Sequence, residues 1–415
     1  MTNKDGAKEV LWSAPFILIL GISLFVSTGH YMLMSTLPLY AVKLSGNRNM
    51  AGLMVTILAL SALVFRPYFG NLMDKRGRKL VLVVGASLLM TTALLYNFIA
   101  VLPLLFIIRF VQGSGFSAHT TSSGTIVADI LPSSRLSEGI GYFGIANTVA
   151  TAIGPFLGLY GVERFGYKTL FLWVFSLSLL SFFSTLFVNY EKSKSVDLPS
   201  GEPVSSRLAS PAMEKPETAR QQSFIEASSV RPSLIMFFIA LTFGAIITYI
   251  PSLGISRKID NIGIFFTIYA CAVLVSRTFT GRLADKGGFT RVLLPGMASL
   301  CLSLMVLAFA YSLPAIIIAG ALYGFGYGTC YPIANSIVIR LCPRERRGAA
   351  TATIFAAMDL GIGVGAYLWG WVAGASGYTT VFLLASACVL ASFLVYITMV
   401  FKRIPGEKEL FRSKA

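Results

Sequence analysis

The sequence predicts an all-α polytopic membrane protein of twelve transmembrane helices in two parallel six-helix repeats. Three observations predict it. Hydrophobic residues make up 55% of the 415 and charged residues only 13%, with a mean hydropathy of +0.74. A water-soluble surface needs roughly a quarter of its residues charged, so this chain uses lipid as its solvent. Twelve stretches are apolar enough to cross a hydrocarbon core, which takes about 20 residues each. A shift of 211 residues then lays one half of the chain on the other.

The first six stretches run over about 15–42, 50–72, 80–100, 103–126, 139–161 and 168–189, and the second six over about 233–253, 261–281, 291–311, 313–337, 348–372 and 378–401. Between them, residues 190–231 turn to Ser, Pro, Glu and Lys with few large apolar side chains. Such a segment cannot build a core and is expected to be a flexible linker. The expected organisation is an N-terminus (1–14), an N-terminal half (15–189), the linker (190–231), a C-terminal half (232–401) and a tail (402–415). The first run, Ala14 to Val42, is too long for the h-region of a secretory signal and lacks a small-residue cleavage site.

A net charge of +16 on a soluble protein would suggest nucleic acid as partner. On a membrane protein, basic residues instead collect in cytoplasmic loops. The termini, the linker and the loops after spans 2, 4, 8 and 10 carry 25 Lys and Arg, the opposite loops six, and three (Arg66, Arg109, Arg277) lie within spans. Both termini and the linker are therefore expected in the cytoplasm, and the chain in the cell membrane. The five cysteines (Cys271, Cys301, Cys330, Cys342, Cys388) fall in or beside apolar stretches and read as small hydrophobes rather than a disulfide framework.

The repeat carries more than shared apolar character. Arg66, Gly70, Leu72, Asp74 and Lys75 fall on Arg277, Gly281, Leu283, Asp285 and Lys286. Gly113 and Gly115 fall on Gly324 and Gly326, and Gly166, Tyr167, Thr169 and Phe171 on Gly377, Tyr378, Thr380 and Phe382. Six spans per half means both halves enter from the same side. They are parallel repeats about an axis normal to the membrane, an architecture that places a substrate site at the bilayer midplane between the halves.

The loop after span 2 holds Gly70, Asp74, Lys75, Arg76, Gly77, Arg78 and Lys79. Gly77 allows a tight turn, and Asp74 can pair with nearby cations or face a helix N-terminus. This loop resembles the signature loop of the major facilitator superfamily, with a weaker copy at Gly281, Asp285, Lys286 and Gly288. The resemblance covers both halves and implies the major facilitator fold. It also implies a conformational latch made by Gly70, Asp74, Gly77, Arg78 and Asp285. Span 4 carries Arg109, Gln112, Gly113 and Gly115, similar to a pattern of proton-coupled members whose arginine is linked to proton transfer. Span 5 carries Gly141, Gly154, Pro155 and Gly158. These resemble the antiporter motif of exporters, although Ala150 and Leu159 stand where glycines are usual.

Asp359 is the one acid at mid-span, in span 11. A lone carboxylate in a membrane costs several kcal/mol unless it is protonated or paired, which makes Asp359 the first candidate for proton coupling. Arg109 faces the same cost and needs a partner or a wet cavity, unless it snorkels to the surface. His30 and His119, the only histidines, both lie in spans, and their side chains titrate near neutrality. They join Asp359 and Arg109 as coupling candidates. Cavity candidates are Tyr31, Gln112, Asn147, Tyr249, Tyr269, Tyr323, Tyr327 and Tyr331, with aromatic packing as the competing role.

No nucleotide loop, metal-ligand cluster or hydrolytic triad is visible, so no cofactor, metal or enzymatic activity is expected. The expected function is proton-coupled efflux of a small organic compound by alternating access, in a monomer whose partners are its cargo, protons and the bilayer. The alternatives are export of an anionic or zwitterionic metabolite such as a metallophore, a proton-symporting importer, and, more remotely, a non-transporting receptor.

Overall fold

A computed structural model describes residues 11–47, 49–99, 101–132, 135–188, 227–343 and 347–404. Most of the expected linker, and the tail beyond residue 404, lie outside these residues. The described residues form twelve α-helices, the last running on into a π turn (Tyr396–Val400) and a 3-10 turn (Phe401–Arg403). The first four are α1 (Ala14–Ser45), α2 (Asn49–Arg76), α3 (Arg78–Leu95) and α4 (Leu102–Ile130). A continuous run, Leu136–Leu186, breaks at Gly166 (φ 80, ψ 175) into α5 (136–165) and α6 (167–186).

The second half repeats this plan with α7 (Ala227–Arg257), α8 (Ile264–Gly287), α9 (Thr290–Ala308) and α10 (Leu313–Leu341). Its last run, Arg347–Val395, breaks at Gly377 (φ 78, ψ 177) into α11 (347–376) and α12 (378–395). The turns obey the 211-residue offset. Gly77 (φ 89) and Gly288 (φ 84) open α3 and the turn before α9, just as Gly166 and Gly377 join the last two helices of each half. Only glycine adopts these positive-φ geometries without cost, so the repeated glycines are the hinges of a repeated fold.

Most helices turn large apolar residues outward on one face, while α7 is buried almost all round. Val64, Ile107, Val275 and Trp371 are all exposed, as lipid-facing residues should be. Many buried hydroxyls donate to a carbonyl of their own helix, others such as Ser303 to a neighbouring helix, and a few such as Ser23 and Ser117 find no partner among the described residues. Thr36 donates to Met32 O at 2.7 Å and Ser122 to Ala118 O at 2.7 Å, which removes the penalty of a polar group in hydrocarbon. Glycines set the closest approaches. A Cβ on Gly154 of α5 would lie 2.7 Å from Tyr31 Cβ on α1. Its repeat mate Gly365 in α11 would place one 2.6 Å from Leu241 O on α7.

The halves meet where α2 packs on α11 and α5 on α8. Thr56 of α2 donates to Gly363 O of α11 at 2.6 Å, and Gly52 of α2 lies tight against Ala366 of α11 and Tyr249 of α7. Gly374 of α11 faces Asn49 Oδ1, at 3.1 Å from an added Cβ, and Gly263 of α8 lies against Phe156 and Leu159 of α5. These contacts gather toward the helix ends remote from the termini, and there the halves are shut.

Candidate functional site

An ion pair joins the two halves. Arg66 Nη2 of α2 lies 2.9 Å from Asp359 Oδ2 of α11, with both side chains about a quarter exposed (25% and 23%). Asp359 is therefore not the lone carboxylate expected from the sequence; its partner comes from the opposite half, 293 residues away. The Arg66 guanidinium also sits 6.0 Å over the Phe355 ring. An apolar crevice of about 150 Å³, walled by Ala59, Leu60, Leu63, Leu360 and Val364, reaches the carboxylate. With such walls the two charges depend mainly on each other, and removing either strands the other.

The repeat mate of this pair has different chemistry. Arg277 of α8 occupies the place of Arg66, and Thr148 of α5 occupies the place of Asp359. Arg277 Nη1 donates to Thr148 Oγ1 at 3.2 Å, and Arg277 Cζ lies 6.0 Å from the centre of the Tyr331 ring. Tyr323, Tyr327 and Tyr331 follow one another at four-residue spacing on one face of α10. Their rings lie parallel, with centroids 6.3 Å apart at each step. Tyr269 of α8 joins them, 6.0 Å from Tyr323 and 6.1 Å from Tyr327. Tyr31, Tyr327, Tyr331 and Arg277 are half-buried, so each keeps part of its surface open at the seam between the halves.

Several cavity candidates are committed elsewhere. Tyr249 is buried on Ala366 O. Tyr323 is fully buried, and its hydroxyl bonds Thr242 Oγ1 at 2.8 Å. Gln112 is buried and accepts from both Tyr96 Oη (2.8 Å) and Arg109 Nη1 (2.7 Å). Asn147 accepts from Ser27 Oγ at 2.8 Å, tying α5 to α1.

Arg109 does not snorkel. It is 0% exposed, with Nε donating to Met54 O at 3.0 Å and Nη2 to Met34 Sδ at 3.0 Å. Its planar fork thus ties α4 to α1 and α2, with Gln112 as third acceptor. His30 of α1 stacks on Phe116 of α4, centroids 3.6 Å apart and planes within 7°. His119 is buried on α4, close to α3 at Gly85. The Nδ1 atoms of both histidines find no hydrogen-bond partner among the described residues.

The span-5 motif acts through packing. Gly154 and Gly158 admit α1, a Cβ on Gly158 lying 3.0 Å from Met32 O, while Pro155 sits inside the helix and a Cβ added at Gly141 would meet nothing within 4 Å. In the loop motif, Gly77 makes the turn, and Arg78 Nε pairs with Asp129 Oδ2 at 2.8 Å, joining the start of α3 to the end of α4. Gly70 has open space around it. Asp74 and Asp285 fall within α2 and α8, but their side chains lie outside the described residues.

Two halves of six helices, related by one offset, enclose a polar seam in an apolar bundle. The sequence profile of the Major Facilitator Superfamily matches residues 19–262 and again 232–415. The chain belongs to the Major Facilitator Superfamily. It is a multi-pass membrane transporter of small molecules, as members of that superfamily are, and not an enzyme.

The sequence is 25% identical over 389 residues to the staphylopine export protein of Staphylococcus aureus, covering 92% of this chain and 95% of that protein. It is 28% identical over 400 residues to a multi-drug resistance efflux pump PmrA homolog of Lactococcus lactis (93% and 95% covered). The fold is similar to that of a nucleoside transporter, NupG, at a TM-score of 0.73 and 12% identity, covering 93% of this chain and all of that one. A POT family transporter solved with 5-aminolevulinic acid gives the same TM-score at 13% identity, covering 93% and 96%.

Sequence reasoning missed Arg66 and Arg277 as site residues. The signal was present: the 211-residue offset carries Arg66 onto Arg277 and Asp359 back onto Thr148.

Proposed function

We propose that this transporter is a proton-coupled exporter, moving a small organic compound out of the cytoplasm by alternating access of its two halves. It works as a monomer in the cell membrane, with both termini and the linker in the cytoplasm. The observation that carries the reading is the Arg66–Asp359 pair, a titratable clasp between the halves. The export and efflux named for the similar bacterial proteins support the direction, and the charge bias of the loops supports the orientation.

In this reading the halves are shut on the outer side, and the clasp is closed with Asp359 ionised. Cargo enters from the cytoplasm, and the rocking of the halves parts α2 from α11. Asp359 then takes a proton from outside as cargo leaves. Protonation removes the charge that held Arg66, so the empty carrier returns without re-forming the clasp. Loss of the proton to the cytoplasm closes it again. Arg109 and the two histidines supply a fixed charge and titratable rings within the N-terminal half.

The test uses everted membrane vesicles with an acid interior and a pH dye inside. A panel of cationic, zwitterionic, anionic and neutral compounds is added singly to native protein and Asp359→Asn. The reading expects at least one compound to discharge the gradient through the native protein and not through the variant. If the whole panel leaves the gradient untouched, the exporter reading fails.

A further inference from the structure

Resting on that reading of the chain as an exporter, we infer that Arg277 is the anion-recognising group of the cargo site, and that the cargo is an organic carboxylate with an apolar or aromatic body. The two repeats break their symmetry at this level. Arg66 and Arg277 are repeat mates at the same depth on α2 and α8, and Asp359 and Thr148 are repeat mates facing them on α11 and α5. Both contacts cross between the halves. One is an ion pair at 2.9 Å, and the other a hydrogen bond to a neutral hydroxyl at 3.2 Å.

A hydroxyl takes one of the five N–H donors of a guanidinium and none of its charge. The ion pairs among the described residues are Arg66–Asp359 and Arg78–Asp129, so Arg277 is in neither. A fixed cation within a bundle in lipid costs several kcal/mol unless an anion or water meets it. Arg277 is half-buried at the seam, where a ligand can reach it. The group that completes it is a planar carboxylate, which the guanidinium fork binds through two parallel hydrogen bonds.

The surroundings describe the rest of the ligand. The Tyr331 ring flanks the guanidinium at 6.0 Å, and Tyr327 stacks behind it. Tyr31 and Tyr269 lie within electrostatic reach of the same charge. Rings with hydroxyl tips suit an apolar or aromatic body that carries one polar head. Asp359, the acid of the seam, is engaged by Arg66, so a cationic cargo meets only repulsion here. A carboxylate bound at Arg277 restores between α5 and α8 the ion pair that α2 and α11 already have. The cargo itself is then the missing half of a clasp.

The test takes purified protein in lipid nanodiscs and probe pairs that share a ring system and carry heads of opposite charge: indole-3-acetate against tryptamine, and 2-naphthoate against 2-naphthylmethylamine. The thermal unfolding midpoint is read for each. The acids are expected to raise the midpoint of the native protein and the amines not. Arg277→Gln is expected to abolish that rise and Arg277→Lys to keep part of it. Thr148→Asp, which supplies the carboxylate from within, is expected to abolish it without lowering the midpoint of the empty protein. If Arg277→Gln does not fold, the lysine and aspartate variants carry the test. In transport, Arg277→Lys is expected to raise KM for the acids about tenfold with kcat changed far less, the loss of one charge-assisted contact.

The proposal is overturned if the amines bind as well as the acids, if neither binds, or if Arg277→Gln leaves the acid-induced rise intact. Proton release by amines and not by acids in the vesicle assay also overturns it, and leaves the exporter reading standing. Silence of every compound in vesicles overturns the exporter reading, while the unfolding midpoints still decide whether Arg277 binds acids.

Discussion

Removing either partner of the Arg66–Asp359 clasp should open the transporter on the side now shut. Two unit charges 2.9 Å apart attract by roughly 6 kcal/mol at an effective dielectric of about 20. Desolvation offsets much of this, and stripping one partner from a fully buried pair costs about 3–5 kcal/mol. Both side chains here keep a quarter of their exposure, so about 2 kcal/mol is the working figure. That is a shift of roughly thirtyfold in the balance between closed and open outer ends. Spin labels at Leu44 and Ile255, exposed at the remote ends of α1 and α7, report the gap. Arg66→Gln and Asp359→Asn should each add a longer-distance population, and the double variant should add no more than either alone. The pair's coupling energy in this cycle should be about 2 kcal/mol. Additive effects of the two substitutions, or an unchanged distance distribution, would refute the clasp.

Three further predictions follow from packing and charge. Gly166→Ala and Gly377→Ala should each lower stability by about 1–3 kcal/mol because both backbones sit where only glycine is at ease, while Gly21→Ala, with open space around it, should not; thermal unfolding separates them. Arg109→Lys should cost about 2–4 kcal/mol and reduce the yield of folded protein, because an ammonium cannot span Met54 O and Gln112 Oε1 as the fork does. A cysteine placed at Ser413 in a cysteine-free background should resist a membrane-impermeant thiol reagent in intact cells and react in everted vesicles. Labelling in intact cells would reverse the topology.

The fold was legible because lipid leaves so few choices. Every spanning segment must be a long apolar helix, and the parallel repeat left its mark in glycines that no side chain could replace at the turns. Gly166 and Gly377 matched in the sequence before they appeared as the kinks between the last two helices of each half. The site was legible only one residue at a time. Asp359 stood out as a mid-span acid, but its partner lies 293 residues away in the other half, and no local pattern announces it. Arg109 near the end of its span left an inward or an outward course open, and only tertiary packing chose the inward one. Gln112 and Tyr249 carried the polar groups a cavity wants, yet both are spent on holding helices together. Polar residues in lipid serve packing and ligands alike, and composition does not separate the two.

In the proposed mechanism Asp359 couples the proton gradient to movement of cargo without being needed for movement itself. Proteoliposomes holding a cargo found in the vesicle panel test it, with isotope exchange and pH-driven uphill transport measured side by side for native protein and Asp359→Asn. The variant is expected still to exchange labelled for unlabelled cargo across the membrane and no longer to concentrate it against a gradient. An asparagine variant that still concentrates cargo under a pH gradient would contradict it.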